Sequence, residues 1–308
     1  MSRIGIIANP HSKLNKRNPD RLALMSDVIG KDAELFITQS LEDLDDKIKF
    51  MSKHDFSTIA ICGGDGTVSR TLTSIVSAFQ DKSLPKIAVL RGGTMNVVAS
   101  ELKIYGRQID VLKKFMKGVR KGKELKTRPL STLNVSGRIG FIYADGSAVR
   151  ILKEFYKKKS GIPGALLLAV KIISSFLVKG PLIKSLIKSL STEAIIDSKK
   201  SSIDTLGAFA GTISKLPLGF PLLPLAGKKD GHFQANFITC AAEKLLWQLP
   251  NIMLKHKEGN SLEKYSVCCR ELRLSWEESV CYTLDGELFD TDIPLTLKLG
   301  PAVNFIKL

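Results

Sequence analysis

Residues 58–70 read TIAICGGDGTVSR, an apolar run that ends in two glycines and continues into a segment with helical spacing. The run 58–62 predicts a buried strand, and residues 68–79 predict a helix. Glycines at such a junction let the backbone approach a phosphate closely, and the helix N-terminus offers N–H groups and the positive end of its dipole. This stretch therefore predicts a strand–turn–helix unit that can hold a phosphate.

The same alternation of elements continues on both sides of this stretch. Apolar runs that end in turn residues predict strands, and apolar residues at helical spacing predict helices between them. A second glycine turn, Arg91-Gly92-Gly93-Thr94, follows the last of these strands. Strands that alternate with helices predict a parallel sheet covered on both faces. The predicted strands are 3–8, 33–38, 58–62 and 86–90, and the predicted helices are 20–30, 41–53 and 68–79.

Beyond about residue 125, short strand-like runs lie between turn residues and predict an antiparallel β domain. The expected fold class is α/β plus all-β, with a parallel-sheet nucleotide-binding domain over 1–127 and a β-sandwich over 128–308. The C-terminal strand is free to pack back on the first domain, and an apolar, lysine-rich insertion occupies 150–190. The predicted strands are 132–135, 139–143, 206–213, 233–240, 266–269, 271–276, 279–284 and 294–299.

Composition excludes several classes of protein. The chain has 308 residues, of which 44% are hydrophobic and 25% are charged, and this argues against disorder. Its 5 cysteines show no CxxC or Cys/His spacing, so a disulfide framework or zinc site is not expected. The N-terminus MSRIGIIANP lacks the features of a secretory signal, and a cytoplasmic location is expected.

The net charge of +16 is concentrated in the middle third of the chain. Residues 101–200 carry 22 basic and 7 acidic side chains, whereas 1–100 carry 13 and 11. Together with the apolar stripe beyond Pro181, this charge predicts contact with an anionic membrane surface. A solubilising surface, or a stripe that packs on its own domain, remains the alternative. Nucleic-acid binding is not favoured, because no aromatic-rich basic strand or zinc motif accompanies the charge.

The two glycine turns are the strongest functional signal. Parallel sheets bind ligands outside the carboxyl ends of their strands, which is where both turns lie. One such turn alone would be interpreted as the end of a buried strand, but two make a nucleotide cradle the favoured interpretation. Asp65 is suitably placed to hold water or Mg²⁺ beside a phosphate. The sequence contains neither GxxxxGK[ST] nor GxGxxG.

Four motifs resemble those of the diacylglycerol kinase catalytic superfamily, and within it bacterial lipid kinases related to diacylglycerol and sphingosine kinases. GGDGT after an apolar strand is the most specific of them. They occur in the family's order and span residues 9 to 287. The four are Asn9-Pro10-His11-Ser12, Gly63-Gly64-Asp65-Gly66-Thr67, Gly92-Gly93-Thr94-Met95-Asn96 and Asp285-Gly286-Glu287.

This resemblance implies a two-domain kinase that uses ATP and Mg²⁺, with one domain for the nucleotide and the other for a lipid. It implies Glu287 as the general base, with Asp285 as its orienting or metal-linked neighbour and Asp65 near the catalytic Mg²⁺. A second, structural Mg²⁺ would take Asp230 and the carbonyls of Gly227 and His232. The residues implied to contact ATP are Asn9, Pro10, His11, Ser12, Lys13, Thr38, Gly63, Gly64, Asp65, Gly66, Thr67, Val68, Ser69, Thr94 and Asn96.

Two residues depart from the family's pattern. Lys13 stands where Gly often follows the Ser, and Val97 replaces an Asp that often follows Asn96. Without the upstream motifs, Asp285-Gly286-Glu287 would be interpreted as a plain hairpin turn.

The expected function is therefore an ATP-dependent lipid kinase, a phosphotransferase with an alcohol acceptor in phospholipid biosynthesis. The lipid would be diacylglycerol or a related molecule, and the enzyme would lie peripherally on the inner face of the membrane. A homodimer is left open. The alternatives are a soluble kinase similar to NAD kinase, which also carries GGDGT, and a membrane-associated regulator with reduced catalysis.

Overall fold

A computed structural model describes residues 3–18, 20–80, 82–93, 96–122, 124–157, 185–214, 223–240, 244, 264–291 and 293–308. The chain divides into two units. Unit 1 comprises Met1–Thr132, Gly137–Gly140 and Gly300–Leu308, and unit 2 comprises Leu133–Ser136 and Phe141–Leu299. Two long strands, β5 and β16, contribute residues to both units.

Unit 1 is built on a parallel sheet whose strands are the apolar runs of the sequence. The strand order is β2-β1-β3-β4, and the end of β16 continues it through a parallel pairing of Phe305 with Ile87. Every residue of β3 except Ser57 is buried, as expected for a strand covered on both faces. The strands are β1 (Arg3–Ala8), β2 (Glu34–Ile37), β3 (Phe56–Cys62), β4 (Lys86–Val89), β5 (Thr127–Val135), β6 (Arg138–Gly140) and β16 (Leu295–Ile306).

The helices of unit 1 follow apolar spacing and local capping. In α3 the residues Leu44, Ile48 and Met51 are buried, and Ser40 caps the helix by accepting a hydrogen bond from Asp43 N at 3.1 Å. Helix α5 follows the second glycine turn, where a helix was expected without bounds, and α6 was not predicted. The helices are α1 (Lys13–Arg17), α2 (Asp20–Ile29), α3 (Leu41–Lys53), α4 (Asp65–Ala78), α5 (Val97–Glu101) and α6 (Gln108–Arg120).

Unit 2 is an antiparallel β structure with two sheets around one core. One sheet has the order β12-β11-β10-β7-β14-β15, and the other contains β8, β9, β13 and the beginning of β16. Phe233, Phe237 and Tyr282 meet Leu272 and Leu297 in the shared core. Its other elements are β7 (Ile142–Ala144), α7 (Ser147–Lys157), β8 (Leu190–Ile196), β9 (Lys199–Thr205), β10 (Ala208–Gly211), β11 (Phe233–Ile238), β12 (Lys264–Cys269), β13 (Glu271–Ser275), β14 (Val280–Leu284) and β15 (Glu287–Thr291).

The predicted fold class is confirmed, with four elements of unit 2, namely α7, β8, β9 and β15, missing from the prediction. Strand β9 carries mostly exposed polar residues and lacks a strong apolar pattern. Strand β8 alternates between exposed and buried residues, and this alternation was overlooked. Strand β15 was not expected because its residues are only partly buried. The insertion 150–190 falls largely outside the described residues, which resume at Ser185.

None of the helices among the described residues is long and apolar enough to cross a bilayer. The five cysteines are free thiols, and Cys62, Cys240 and Cys269 are buried. Burial raises the pKa of the Cys62 thiol to about 12.

Candidate active site

The two glycine turns of unit 1 stack backbone against backbone. Gly92 N donates a hydrogen bond to Gly63 O at 2.6 Å. A Cβ added to Gly92 would lie 2.6 Å from Gly63 Cα, and one added to Gly93 would lie 2.6 Å from Gly64 Cα. No side chain fits at either position, so glycine is required by the close approach of the two turns. The junctions after β3 and β4 therefore form one continuous backbone surface.

Helix α4 starts on this surface. Its N-cap is Gly64, which has an extended backbone and no side-chain cap, and Asp65, Gly66 and Thr67 form its first turn. A helix start without a side-chain cap leaves N–H groups for an anionic partner, and the helix dipole favours negative charge there. The first turn of α4 is thus suited to hold phosphate oxygens.

The loop after β1 is tied to the same helix turn. Asn9 Nδ2 donates to Thr67 Oγ1 at 3.2 Å, while Asn9 Oδ1 accepts from His11 N at 2.8 Å. Asn15 Nδ2 donates to Asn9 O at 2.7 Å and so also stabilises the loop. Pro10 is half-buried and His11 is exposed. Three loops that are distant in sequence thus meet at the carboxyl edge of the parallel sheet.

Two hydroxyl residues lie near this edge. Thr38 follows β2, is buried, and donates its backbone N–H to Ala8 O at 3.0 Å. Ser12 is buried as well, and its Oγ has no hydrogen-bond partner among the described residues. A buried hydroxyl without a hydrogen-bond partner costs free energy. A ligand that forms a hydrogen bond with Ser12 Oγ would therefore be favoured.

Asp65 holds the second glycine turn in place. Its Oδ1 accepts a hydrogen bond from Val97 N at 2.6 Å, across 32 residues of sequence, at the start of α5. Burial raises the pKa of this carboxyl, and the backbone N–H groups of residues 96–98 oppose that shift. Since the contact uses the backbone of Val97, the Val side chain at this position does not disturb it.

Asn96 closes the second turn on itself. Its Nδ2 donates to Gly93 O at 2.8 Å, and its Oδ1 accepts from Gly93 N at 3.0 Å. The residue has a left-handed backbone with φ of 47°, which asparagine tolerates better than most residues. Thr94, predicted to contact ATP, and the side chain of Lys13 lie outside the described part of the structure.

Val68 and Ser69 pack in the interior of unit 1. Both are buried, and Ser69 Oγ donates to Ile139 O at 2.6 Å. In unit 1 these residues connect α4 to the core and to β6. Their contact with ATP stays a prediction.

Asp285 and Gly286 form a two-residue turn between β14 and β15 in unit 2. Their φ angles are 52° and 89°, and Leu284 pairs with Glu287 across the turn. This is the type I′ hairpin that Asp-Gly favours. The Asp285 carboxylate accepts hydrogen bonds from Phe141 N at 3.1 Å and Ile142 N at 2.9 Å. Glu287, the first residue of β15, is half-buried.

The predicted structural metal site lies on a surface turn of unit 2. Asp230 is exposed, Gly227 has φ of 72°, and a ring nitrogen of His232 lies 2.8 Å from Asp230 O. Across the described residues, no three His, Cys, Asp or Glu side chains are grouped to hold a metal ion. One carboxylate with two backbone carbonyls is a donor set of the hard type that Mg²⁺ accepts, and this site stays a prediction.

Asp145 is a buried carboxyl that the sequence analysis missed. It accepts hydrogen bonds from Ala208 N at 2.6 Å and from Tyr143 Oη at 2.8 Å. Burial raises its pKa to about 6, although both hydrogen bonds and the charge of Arg150 oppose the shift. The signal for it was an Asp-Gly pair after the apolar run 141–144 and ahead of a helix, the same order as in GGDGT.

Comparison with known proteins finds a family model that matches the N-terminal part of the chain. Residues 3–126 match the family model described as the diacylglycerol kinase catalytic domain. No curated protein matches the chain in sequence.

Solved structures share the fold of the whole chain. A crystal structure of a diacylglycerol kinase from Bacillus anthracis str. Sterne has a TM-score of 0.67 at 15% identity, covering 100% of this chain and 97% of that one. A candidate diacylglycerol kinase from the same organism has a TM-score of 0.74 at 15% identity, covering 100% of this chain and 95% of that one. At this identity the likeness establishes the fold.

Proposed function

We propose that this chain, whose residues 3–126 match the model of the diacylglycerol kinase catalytic domain, transfers the γ-phosphoryl group of ATP to a lipid hydroxyl. Diacylglycerol or a related lipid is the proposed acceptor, which places the enzyme in phospholipid biosynthesis. The observation that carries this proposal is the pair of stacked glycine turns at the uncapped start of α4.

The residues of this surface fit the phosphates of ATP. Gly63 to Thr67 would supply backbone N–H groups, and Ser12 Oγ would gain the partner that it lacks. Phosphoryl transfer depends on positioning and on neutralising charge, for which fixed N–H groups are suited. When bound, ATP supplies the transferred phosphoryl group and Mg²⁺ neutralises its charge. Asp65 is the residue proposed to hold Mg²⁺, through carboxylate lone pairs that the bond from Val97 N does not use.

Glu287 is proposed as the general base. A lipid hydroxyl is a weak nucleophile, and a carboxylate that takes up its proton makes it a stronger one. Glu287 follows directly after the turn whose backbone Asp285 holds. In this proposal, residues 1–127 bind ATP and residues 128–308 bind the lipid.

Contact with an anionic membrane is proposed for the basic middle third of the chain. The 22 basic side chains of residues 101–200 against 7 acidic ones give this stretch a charge of +15. Each well-placed Lys or Arg adds about 1 kcal/mol to binding at an anionic leaflet. The proposed location is therefore the cytoplasm, on the inner face of the membrane.

The test is incubation of the purified protein with γ-labelled ATP, Mg²⁺ and lipid vesicles that contain diacylglycerol or a bacterial lipid extract. Labelled lipid is expected from the wild type, and Glu287→Gln should lower kcat by roughly 10²–10⁴-fold. Glu278→Gln is the matched control, because Glu278 is an exposed carboxylate of the same unit.

Three outcomes would contradict the proposal. Full labelling of lipid by Glu287→Gln would show that Glu287 is not the general base. A labelled product that stays in the aqueous phase would point to a soluble kinase similar to NAD kinase. Vesicle binding without ATP turnover would point to a regulator with reduced catalysis.

A further inference from the structure

We infer that two sets of hydrogen bonds fix the Asp285–Gly286 turn, and that Asp285 and Tyr156 thereby position the carboxylate of Glu287. This inference rests on the proposed function of Glu287 as the base. Tyr156 lies 130 residues away in sequence and belongs to none of the motifs.

Asp285 fixes the turn to the start of β7. Its carboxylate accepts hydrogen bonds from Phe141 N and Ile142 N, and its own N–H donates to Ile142 O at 2.9 Å. The side chain and backbone of one residue thus bind the start of β7. Because the carboxylate is occupied by backbone donors, its role is to fix the turn rather than to exchange a proton.

Tyr156 fixes the turn to helix α7. Its Oη donates a hydrogen bond to Gly286 O at 2.8 Å. Gly286 has φ of 89°, and a Cβ there would lie 3.4 Å from Tyr156 Oη, so a side chain at this position would crowd the contact. The carbonyl that Tyr156 binds belongs to the peptide bond joining Gly286 to Glu287. Rotation of that peptide would redirect Glu287, and the hydrogen bond opposes it.

Helix α7 presents Tyr156 from a fixed position. Near the start of the helix, Arg150 Nη1 donates to Lys188 O at 2.7 Å. One turn later Lys153 Nζ lies 3.7 Å from an Asp290 carboxylate oxygen in β15. Lys153 and Tyr156 are three residues apart and so share one helix face, and both contact the β14–β15 hairpin.

A second hairpin of unit 2 repeats the aspartate contact far from Glu287 in sequence. Asp197 and Ser198 form a two-residue turn between β8 and β9, with φ of 44° and 75°. The Asp197 carboxylate accepts from Arg270 N at 2.9 Å and Glu271 N at 3.0 Å, and Asp197 N donates to Glu271 O at 3.1 Å. Asp197 is therefore an internal control for the structural part of the role of Asp285.

The experiment compares Tyr156→Phe, Asp285→Asn and Asp197→Asn in steady-state kinetics with ATP and lipid vesicles. Asn tolerates the left-handed backbone at both aspartate positions, so each variant removes chiefly the carboxylate. Asp285→Asn and Asp197→Asn are expected to lower Tm by similar amounts, but only Asp285→Asn should lower kcat. Tyr156→Phe keeps the ring, and it should lower kcat about tenfold with unchanged KM for ATP and unchanged Tm, since small misplacements of reacting groups cost large factors in rate.

Amide hydrogen exchange provides a readout that does not depend on activity. In Tyr156→Phe, exchange at Gly286 and Glu287 should become faster, while exchange at Ser198 and Lys199 should not change. Wild-type kcat in Tyr156→Phe, or unchanged exchange at the turn, would overturn the inference. Equal losses of kcat in both Asp→Asn variants would overturn it too, because general destabilisation would then explain them. If the wild type phosphorylates no lipid, the proposed function fails, and the exchange result alone decides whether Tyr156 holds the turn.

Discussion

At the scale of single residues, close backbone approach and backbone hydrogen bonding shape the candidate site. Gly92 and Gly93 press against Gly63 and Gly64, and Asp65 binds the N–H of Val97. The sequence predicted which residues gather at the sheet edge, because the carboxyl ends of parallel strands lie at the same edge of the sheet. It did not predict that Asp65 joins the two turns, because that bond spans 32 residues.

Gly92→Ala is expected to destabilise the protein by about 1–3 kcal/mol and to raise the KM for ATP, because the new methyl group would collide with the backbone of Gly63. Thermal unfolding and ATP-dependent kinetics measure the two effects. Gly122→Asn is the control, since an added Cβ at Gly122 meets no described atom within 4 Å and Asn tolerates its φ of 58°. Wild-type Tm and KM in Gly92→Ala would show that the two turns do not pack as described.

At the scale of elements, polar side chains connect strands and helices of unit 2. Asp145 links β7, through Tyr143, to the first residue of β10 and lies just ahead of α7. Tyr156 connects α7 to the β14–β15 turn. The apolar patterns predicted most of the strands, but such links depend on strand order and so could not be derived from any one segment.

The stability of unit 2 should depend on pH through Asp145. Its pKa is about 6 in the folded protein against 3.8 for the ordinary carboxyl, so between these values the folded state binds more protons than the unfolded state. The free energy of unfolding therefore falls as pH rises from about 4 to 6, by about 3 kcal/mol in total from this group.

Asp145→Asn removes this titration, and an amide can still accept from Ala208 N and contact Tyr143 Oη. The Tm of Asp145→Asn minus the Tm of the wild type should thus rise from pH 4 to pH 6.5 and then stay constant. A difference independent of pH would contradict the raised pKa.

At the scale of the whole molecule, charge and composition are distributed unevenly along the chain. The net charge of +16 comes almost entirely from residues 101–200, with 22 basic and 7 acidic side chains. That stretch includes both α6 and the insertion. Charge of this density on the proposed lipid kinase favours electrostatic docking to an anionic membrane.

Binding to vesicles with anionic lipid should weaken as salt is raised from about 50 to 500 mM, because counterions screen the attraction. Lys184→Gln combined with Lys188→Gln should lower the association constant by up to about 30-fold, corresponding to about 1 kcal/mol per lysine. Co-sedimentation with anionic and neutral vesicles measures this. Lys49→Gln with Lys53→Gln, two exposed lysines of α3, is the matched control and should bind like wild type. Equal weakening in both double variants would place the docking charge elsewhere.

The amino-acid sequence by itself determined the class of fold and the location of the two glycine turns. Alternating apolar runs and helical spacing specify strands and helices locally, and GGDGT after a buried strand predicts a phosphate-binding junction. The weakly patterned strands β9 and β15 escaped prediction, because exposed or partly buried residues carry little periodic signal.

Only the tertiary structure decided how the site is held together. The contact of Asn9 with Thr67 spans 58 residues, that of Tyr156 with Gly286 spans 130, and that of Asp285 with Phe141 spans 144. Such contacts depend on which strands are neighbours and which helix lies on which sheet, and no local pattern encodes this. The residues that carry the proposed chemistry could therefore be found in the sequence, while those that position them, such as Tyr156, became visible only in the folded chain.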